Sequence, residues 1–162
     1  MSKVELHVYD LSKGLARVYG PLLNIDIDGV WHTGISVHGK EVYFGQGIQI
    51  LDAGKTHLGA PERVYDLGTT EVPWELIQEY VENDLQAEWN AESYHLLEHN
   101  CNHFSEELAQ FLTGNSIPEY ISQTAPKVAA TPLGQMLAAQ RRRLRAVMPQ
   151  GQGRSKAHFF FF

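Results

Sequence analysis

Apolar and polar residues alternate in several segments of the chain, and each alternation predicts a β-strand. The first segment covers 4–10 and the second 30–45, where Gly39-Lys40 predicts the turn of a hairpin. Residues 64–67 and 93–97 are shorter strand candidates. The chain is therefore expected to form a small sheet from strands in its first two thirds.

Three other segments have apolar residues at helical spacing. Pro73 begins the first predicted helix, whose apolar stripe is Trp74, Ile77, Tyr80, Val81 and Leu85. The second predicted helix begins at Cys101, with Asn100 or Asn102 as its cap, and ends at Gly114-Asn115. Thr131-Pro132 begins the last, which carries Leu133, Met136, Leu137 and Leu144.

The remaining stretches lack a clear period. Glycines within 11–29 and 45–61 indicate loops, and the second of these is expected on the surface, walling a groove. Beyond Pro149 the Gly, Gln, Ser and Arg content favours disorder. We therefore predict one domain over 1–147 and a disordered tail over 148–162.

Cys101 is the only cysteine of the chain and begins a predicted helix. The positive end of the helix dipole and the unpaired N–H groups of the first turn favour a thiolate and can bind an oxyanion. We therefore expect a lowered thiol pKa and a nucleophilic role. On composition alone, the competing interpretation is a small buried hydrophobe on an amphipathic helix.

Histidines offer partners for this thiol as well as a competing metal hypothesis. His32 and His38 share the polar face of one predicted strand, so either is a candidate base. His95, His99 and His103 are spaced four apart around Cys101, as zinc ligands can be, but the His-Glu-x-x-His motif is absent. The other histidines, including His7 and His57, are interpreted as surface residues.

Composition narrows the class of protein. With 162 residues, 43% hydrophobic and 20% charged, the chain suits one globular domain, and it has no apolar run long enough for a membrane span. A single cysteine favours a reducing compartment, so we expect the cytoplasm or nucleus.

The formal charge is divided unevenly along the chain: residues 1–140 carry −12 and residues 141–162 carry +6. The acidic body argues against nucleic-acid binding.

An ordered set of motifs resembles the PPPDE family. The matching segments are 8–17 (VYDLSKGLAR), 29–33 (GVWHT), 43–45 (YFG), 98–105 (EHNCNHFS), 109–114 (AQFLTG), 117–118 (IP) and 131–135 (TPLGQ). They cover roughly residues 4–140 in order. The resemblance implies an α+β, permuted papain-like cysteine peptidase fold, a small antiparallel sheet packed with helices, in which the catalytic His precedes the Cys.

The resemblance also implies a function and a site. Its matching positions are Cys101 as nucleophile and His32 as base, a Cys-His dyad without a cofactor, whereas His38 matches no catalytic position. The expected activity is an isopeptidase that removes a small ubiquitin-like modifier of the SUMO type from lysines of target proteins, by a homodimeric enzyme. A protein S-acyl (palmitoyl) thioesterase using the same dyad and a non-catalytic module that binds ubiquitin-like proteins stay open as alternatives.

Overall fold

The structure, a computed structural model, describes residues 1–147, with side chains described through residue 140. The predicted tail at 148–162 lies outside the described residues, as does the side chain of Leu144. No helix of the described part is long and apolar enough to cross a membrane.

Five antiparallel strands form one sheet, in the order β4-β3-β2-β1-β5. Their bounds are β1 Ser2–Asp10, β2 Trp31–Val37, β3 Lys40–Gly45, β4 Gly47–Asp52 and β5 Arg63–Thr70. The strands predicted over 4–10, 30–45 and 64–67 are confirmed, and so is the α+β class.

One short helix and a 3₁₀ turn lie between β1 and β2, and the other helices follow β5. The helices are α1 Leu15–Tyr19, α2 Trp74–Tyr80, α3 Cys101–Thr113, α4 Glu119–Ser122, α5 Thr124–Ala129 and α6 Pro132–Val147, with a 3₁₀ turn at Pro21–Leu23 and a π turn at Val81–Leu85. The three helices predicted at Pro73, Cys101 and Thr131-Pro132 are confirmed. Gly114, with φ of 72°, ends α3 in the left-handed conformation that favours glycine.

The sheet has two differently used faces because side chains alternate along each strand. Val8 of β1, Ile35 of β2 and Phe44 of β3 lie on one face, where α3 contributes Phe104 and Leu108 to the main core. The opposite face carries buried polar residues on the same three strands, His7, Tyr9, His32, Glu41 and Tyr43. The alternation in the sequence therefore separates an apolar core from a polar cluster.

Three local predictions were wrong. Residues 45–61 are not all loop, because β4 turns back at Gln46 and pairs with β3, so that Val42 lies opposite Ile50. Residues 93–97 form turns, and only an isolated bridge joins His95 to His99. The supposed loop at 11–29 contains α1 and the 3₁₀ turn. In each case the element or turn involved has too few residues to show a helical or strand period in the sequence.

The β2–β3 turn consists of His38 and Gly39, with φ of 50° and 73°. Two successive positive φ values are typical of the type I′ turn that connects twisted hairpin strands. His38 therefore lies outside β2, and the prediction that it shares the strand face with His32 was wrong.

Candidate active site

Asn100 fixes the start of α3. Its side-chain oxygen accepts hydrogen bonds from the N–H groups of Asn102 and His103 at 2.9 and 3.2 Å, and its own N–H donates to Nδ1 of His103 at 3.1 Å. This capping box satisfies the donors at the helix start and places Cys101 in the first turn. Of the two caps that the sequence allowed, Asn100 is the one used.

Asn102 attaches the first turn of α3 to β2. Its Nδ2 donates to the carbonyl of Trp31 at 3.0 Å, and its Oδ1 accepts from the hydroxyl of Thr33 at 2.8 Å. Both bonds are buried, where a lost partner is costly. Residues 31 and 33 are thus held to the helix start, and His32 lies between them.

The thiol of Cys101 is buried, with 4% of the residue exposed. Burial raises the pKa of Cys101, against hydrogen bonds from the N–H of Thr33, the hydroxyl of Tyr94 and the N–H of Asn102 that lower it. The prediction that the pKa of Cys101 is lowered was therefore wrong for the buried thiol. The helix N-terminus acts as expected, but desolvation of the thiolate is the larger effect.

His32 lies on β2 with its ring on the polar face of the sheet. The ring centroid is 5.8 Å from that of Tyr9 and 5.1 Å from that of Tyr43. Burial lowers the pKa of His32 to about 4, with the Glu41 carboxylate opposing that effect and His57 adding to it. Nε2 is buried and has no hydrogen-bond partner among the side chains and backbone described. The imidazole is consequently neutral near pH 7.

The edge of β2 beside His32 is open to α3. Strand β3 pairs with β2 only at Ile35, Ser36 and Val37, so residues 31–34 have no partner on β3. At this edge the backbone N–H of Thr33 faces the thiol of Cys101 and lowers its pKa. The structure thus brings Cys101 to the residue next to His32, although helix and imidazole belong to opposite faces of the sheet.

His38, the other candidate base, is occupied elsewhere. Its Nδ1 is 2.9 Å from the hydroxyl of Ser2, and its Nε2 is 2.9 Å from the carbonyl of Val72. Both contacts hold the β2–β3 turn against neighbouring backbone segments. His38 is therefore a turn residue, in agreement with the absence of a catalytic match at this position.

The histidines around Cys101 have structural partners. The ring of His99 stacks on Trp89 at 3.9 Å between centroids, and Nδ1 of His95 accepts from the N–H groups of Leu97 and Glu98. Within residues 1–140, no group of three or more His, Cys, Asp or Glu side chains is arranged to hold a metal ion. These contacts give His95 and His99 a role in the turns before α3, and His103 belongs to the capping box of α3.

An apolar groove of about 380 Å³ lies beside the thiol. Cys101 and Tyr94 line its inner end, and the exposed Tyr19 and Leu23 lie at its outer part. Its remaining walls are mainly aliphatic, from α1, α5 and the segment before β2, including Ala16, Ile25, Ile27, Val30, Ala125 and Val128. Residues 45–61 do not wall this groove, but they do wall another: His57, Leu58 and Ala60 line a second cavity of about 430 Å³ beside the end of β1, as predicted.

Sequence reasoning missed two residues of this region. Tyr94 was placed in a strand candidate, yet its hydroxyl is hydrogen-bonded to the Cys101 thiol. Glu41 was interpreted only as part of the hairpin, yet it is fully buried and accepts from Tyr9. The one signal in the sequence was the alternation of the hairpin strands. It places the carboxylate of Glu41 on the same face of the sheet as His32, the candidate base. His7, expected on the surface, is also buried in this cluster.

An α+β fold whose single thiol begins a helix, against a strand that carries a buried histidine, has the architecture of a cysteine peptidase. Comparison with known proteins agrees. Residues 2–142 match the family described as "PPPDE putative peptidase domain", and the chain belongs to this family.

Curated relatives extend over most of the domain. Desumoylating isopeptidase 1 of Homo sapiens is 49% identical over 136 residues, which are 83% of this chain and 81% of the relative. The protein of the same name in Xenopus laevis is 48% identical over 136 residues, 83% of this chain and 80% of the relative. A more distant relative, DeSI-like protein At4g17486 of Arabidopsis thaliana, is 32% identical over 131 residues, 77% and 56% of the two chains.

Proposed function

We propose that the protein is a thiol isopeptidase that removes a small ubiquitin-like modifier of the SUMO type from lysine side chains of target proteins. Family membership and relatives that are named desumoylating isopeptidases support the reaction class. The observation that carries the assignment of residues is the position of Cys101 at the capped start of α3, where its neighbour Asn102 is hydrogen-bonded to Trp31 and Thr33 on either side of His32.

In this proposal His32 acts as a general base and then as a general acid. Burial keeps thiol and imidazole neutral in the free enzyme, so His32 takes the thiol proton as Cys101 attacks the C-terminal carbonyl of the modifier. This differs from the thiolate that the helix start was expected to favour at Cys101. His32 then donates the proton to the departing lysine amine, and water hydrolyses the thioester to release the modifier.

The oxyanion of the tetrahedral intermediate needs donors near Cys101. The backbone N–H of Cys101 points to the hydroxyl of Tyr94, which is itself hydrogen-bonded to the thiol. A substrate carbonyl oxygen at this position would accept from both groups. Tyr94 therefore joins the helix start as the proposed oxyanion site.

The direct test uses an isopeptide-linked conjugate of the modifier and a lysine-containing peptide. Wild type should release free modifier, and Cys101→Ser should not. A wild-type protein that binds the conjugate without releasing modifier would favour the alternative of a non-catalytic binding module. Release by the serine variant at the wild-type rate would show that another residue is the nucleophile.

A specific observation favours a second activity for the same thiol. The groove beside Cys101 is almost entirely apolar and is long enough to reach from the thiol to the surface at Tyr19 and Leu23. Such a site suits the acyl chain of an S-acylated cysteine, which has little need for polar partners. The second candidate is therefore a protein S-acyl thioesterase.

Filling the groove separates the two activities. Ala125 lines it, whereas Ala139 is exposed on α6 and does not, so Ala125→Trp and Ala139→Trp form a matched pair. If S-palmitoyl peptides are substrates, Ala125→Trp should slow their hydrolysis at least about tenfold relative to Ala139→Trp, because the acyl chain loses its site. Equal rates in both variants, or no hydrolysis by wild type, would contradict the thioesterase.

We also propose that the enzyme is a homodimer and acts in the cytoplasm and nucleus. Leu15, Val18, Leu22 and Leu23 are exposed on neighbouring turns, and a second copy would cover such a surface. Light scattering at micromolar concentration tests the dimer, and imaging of the tagged chain tests the location. A monomeric mass or exclusion from both compartments would contradict the respective proposal.

A further inference from the structure

Glu41 is the one fully buried carboxylate among the side chains of residues 1–140. Three donors surround it: the hydroxyl of Tyr9 at 2.8 Å, the N–H of Gly54 at 3.0 Å, and Nδ1 of His7 at 2.9 Å. Burial alone would raise the pKa of Glu41, but the bonds from His7, Gly54 and Tyr9 lower it below its ordinary value. The side chain is therefore an anion at neutral pH.

The carboxylate lies next to His32 on the polar face of the sheet. A Cβ atom on Gly34 would be 2.8 Å from Oε1 of Glu41 and 3.0 Å from its Cγ, so Glu41 covers the space that a side chain at 34 would fill. Residues 32 and 34 share one face of β2, about 7 Å apart. The glycine thus makes room for a carboxylate beside the imidazole.

Tyr9 forms a second connection between the two groups. It lies opposite His32 in the β1–β2 register, its ring is 5.8 Å from the imidazole, and its hydroxyl donates to Glu41. The remaining titratable groups around this pair are Tyr43 on β3, which contacts His32, His7 on β1, which contacts Glu41, and His57 on the loop after β4, which acts on His32. Of all these groups, Glu41 is the only carboxylate.

We propose that Glu41 is a positioning residue for catalysis, which acts through His32 by stabilising the imidazolium that forms when His32 accepts the thiol proton. The inference rests on the proposed function, in which His32 is the base. It supplies the third residue that the motifs of the chain do not show. A fixed anion in a water-poor site has this effect because it is weakly screened and requires no reorganisation during the reaction.

Alkylation of Cys101 by iodoacetamide at pH 7 measures the effect without a substrate. Glu41→Gln keeps the size of the side chain and an acceptor for Tyr9 but removes the charge, so alkylation should slow about tenfold, the change expected for one pKa unit of the base. Glu79→Gln is the matched control: it removes a carboxylate that is exposed on α2, and it should stay within about threefold of wild type. Cleavage of the conjugate, measured as kcat/KM, should fall in parallel.

A double-mutant cycle excludes a merely structural role. In a His32→Ala background, Glu41→Gln should cause no further slowing, because the base through which Glu41 acts is absent. A full tenfold slowing in that background would show that Glu41 acts on the fold or directly on the thiol, and would overturn the proposal. So would a folded Glu41→Gln protein that alkylates at the wild-type rate. If His32→Ala itself had no effect, the proposed dyad would fail instead.

A second measurement keeps Glu41 in place, in case Glu41→Gln does not fold. Coupling is reciprocal, so the carboxyl titration of Glu41, followed by ¹³C NMR, should depend on His32. His32→Phe keeps an aromatic ring between Tyr9 and Tyr43 but cannot be protonated. The Glu41 titration should then move to higher pH by at least about half a unit, because the cation that favours the carboxylate is lost. An unchanged or lower midpoint would overturn the proposal.

Discussion

The side-chain amide of Asn102 donates a hydrogen bond of 3.0 Å to the carbonyl of Trp31, and this buried bond joins the start of α3 to the strand that carries His32. The same side chain accepts from Thr33. One residue therefore fixes the helix start relative to both neighbours of the proposed base. This attachment sets the position of the nucleophile relative to the strand that carries the base.

Replacing Asn102 by Ala should reduce both stability and activity. The buried carbonyl of Trp31 loses its bond from Asn102, and the hydroxyl of Thr33 keeps only Ser105 as a partner, so the cost should be about 1–3 kcal/mol in the free energy of unfolding. Cleavage should fall at least about tenfold further than the loss of folded protein explains, since small misplacements of reacting groups are costly. Urea unfolding and kcat/KM measure the two effects.

Asn115 provides the matched control. Its Nδ2 also donates to a backbone carbonyl, that of Leu67 at 2.8 Å, but at the far end of α3. Asn115→Ala should reduce stability with kcat/KM of the folded protein unchanged. Equal losses of activity in the two variants would mean that Asn102 has no special part in the site.

Cys101 should be the residue that reacts with an electrophilic probe. A vinyl-sulfone derivative of the modifier should label wild type, and Cys101→Ser should stay unlabelled, since the chain has no other thiol. Peptide mapping by mass spectrometry identifies the modified position. A labelled histidine or lysine peptide in wild type would show that the nucleophile has been assigned wrongly.

Removing the hydroxyl of Tyr94 should make the thiol harder to ionise. That hydroxyl donates to Cys101 and lowers its pKa, so Tyr94→Phe should move the alkylation profile to higher pH. Tyr80→Phe is the control, because Tyr80 stacks on Phe111 at 4.0 Å, at a distance from the site. Identical profiles for the two variants would remove Tyr94 from the proposed oxyanion site.

His32 should make the protein less stable as the pH falls. The unfolded chain binds a proton on this histidine near pH 6.5, whereas the folded chain does so only near pH 4. Between these values the unfolded state binds more protons, so acidification favours unfolding, by on the order of 3 kcal/mol in total. The contribution is complete above about pH 6.5 and is lost toward pH 4.

His32→Gln removes this titration, so its melting temperature should fall less than that of wild type between pH 6.5 and 4. Differential scanning calorimetry at several pH values measures the difference. Parallel losses in the two proteins would show that His32 is not held neutral by burial.

The period of the sequence was sufficient for the main helices and for four of the five strands, because each has enough residues to show alternation or a stripe. Strand β4 was missed, since Gly45 and Gly47 flank a one-residue reversal that resembles a loop in composition. The cap at Asn100 and the placement of Cys101 followed from local chemistry. The pKa of Cys101 did not, because desolvation depends on what the rest of the fold packs around the thiol.

The role of Glu41 was missed for the same reason, because it depends on long-range packing. Its place on the polar face follows from the hairpin alternation, but nothing in the sequence shows that His7, Tyr9 and Gly54 converge on it. That convergence joins residues that are 13 to 34 positions apart. Long-range contacts of this kind are visible only once β1, β2 and β3 have been placed side by side.

The most direct test of the account compares His32→Ala with His38→Ala in cleavage of an isopeptide-linked conjugate. His32→Ala should lower turnover by on the order of 10² to 10⁴-fold and move Cys101 alkylation to higher pH, because the thiol loses its base. His38→Ala should stay near wild type in both measurements, since His38 only holds the turn to Ser2 and Val72. Equal behaviour of the two variants, or loss of activity in His38→Ala alone, would contradict the proposed dyad.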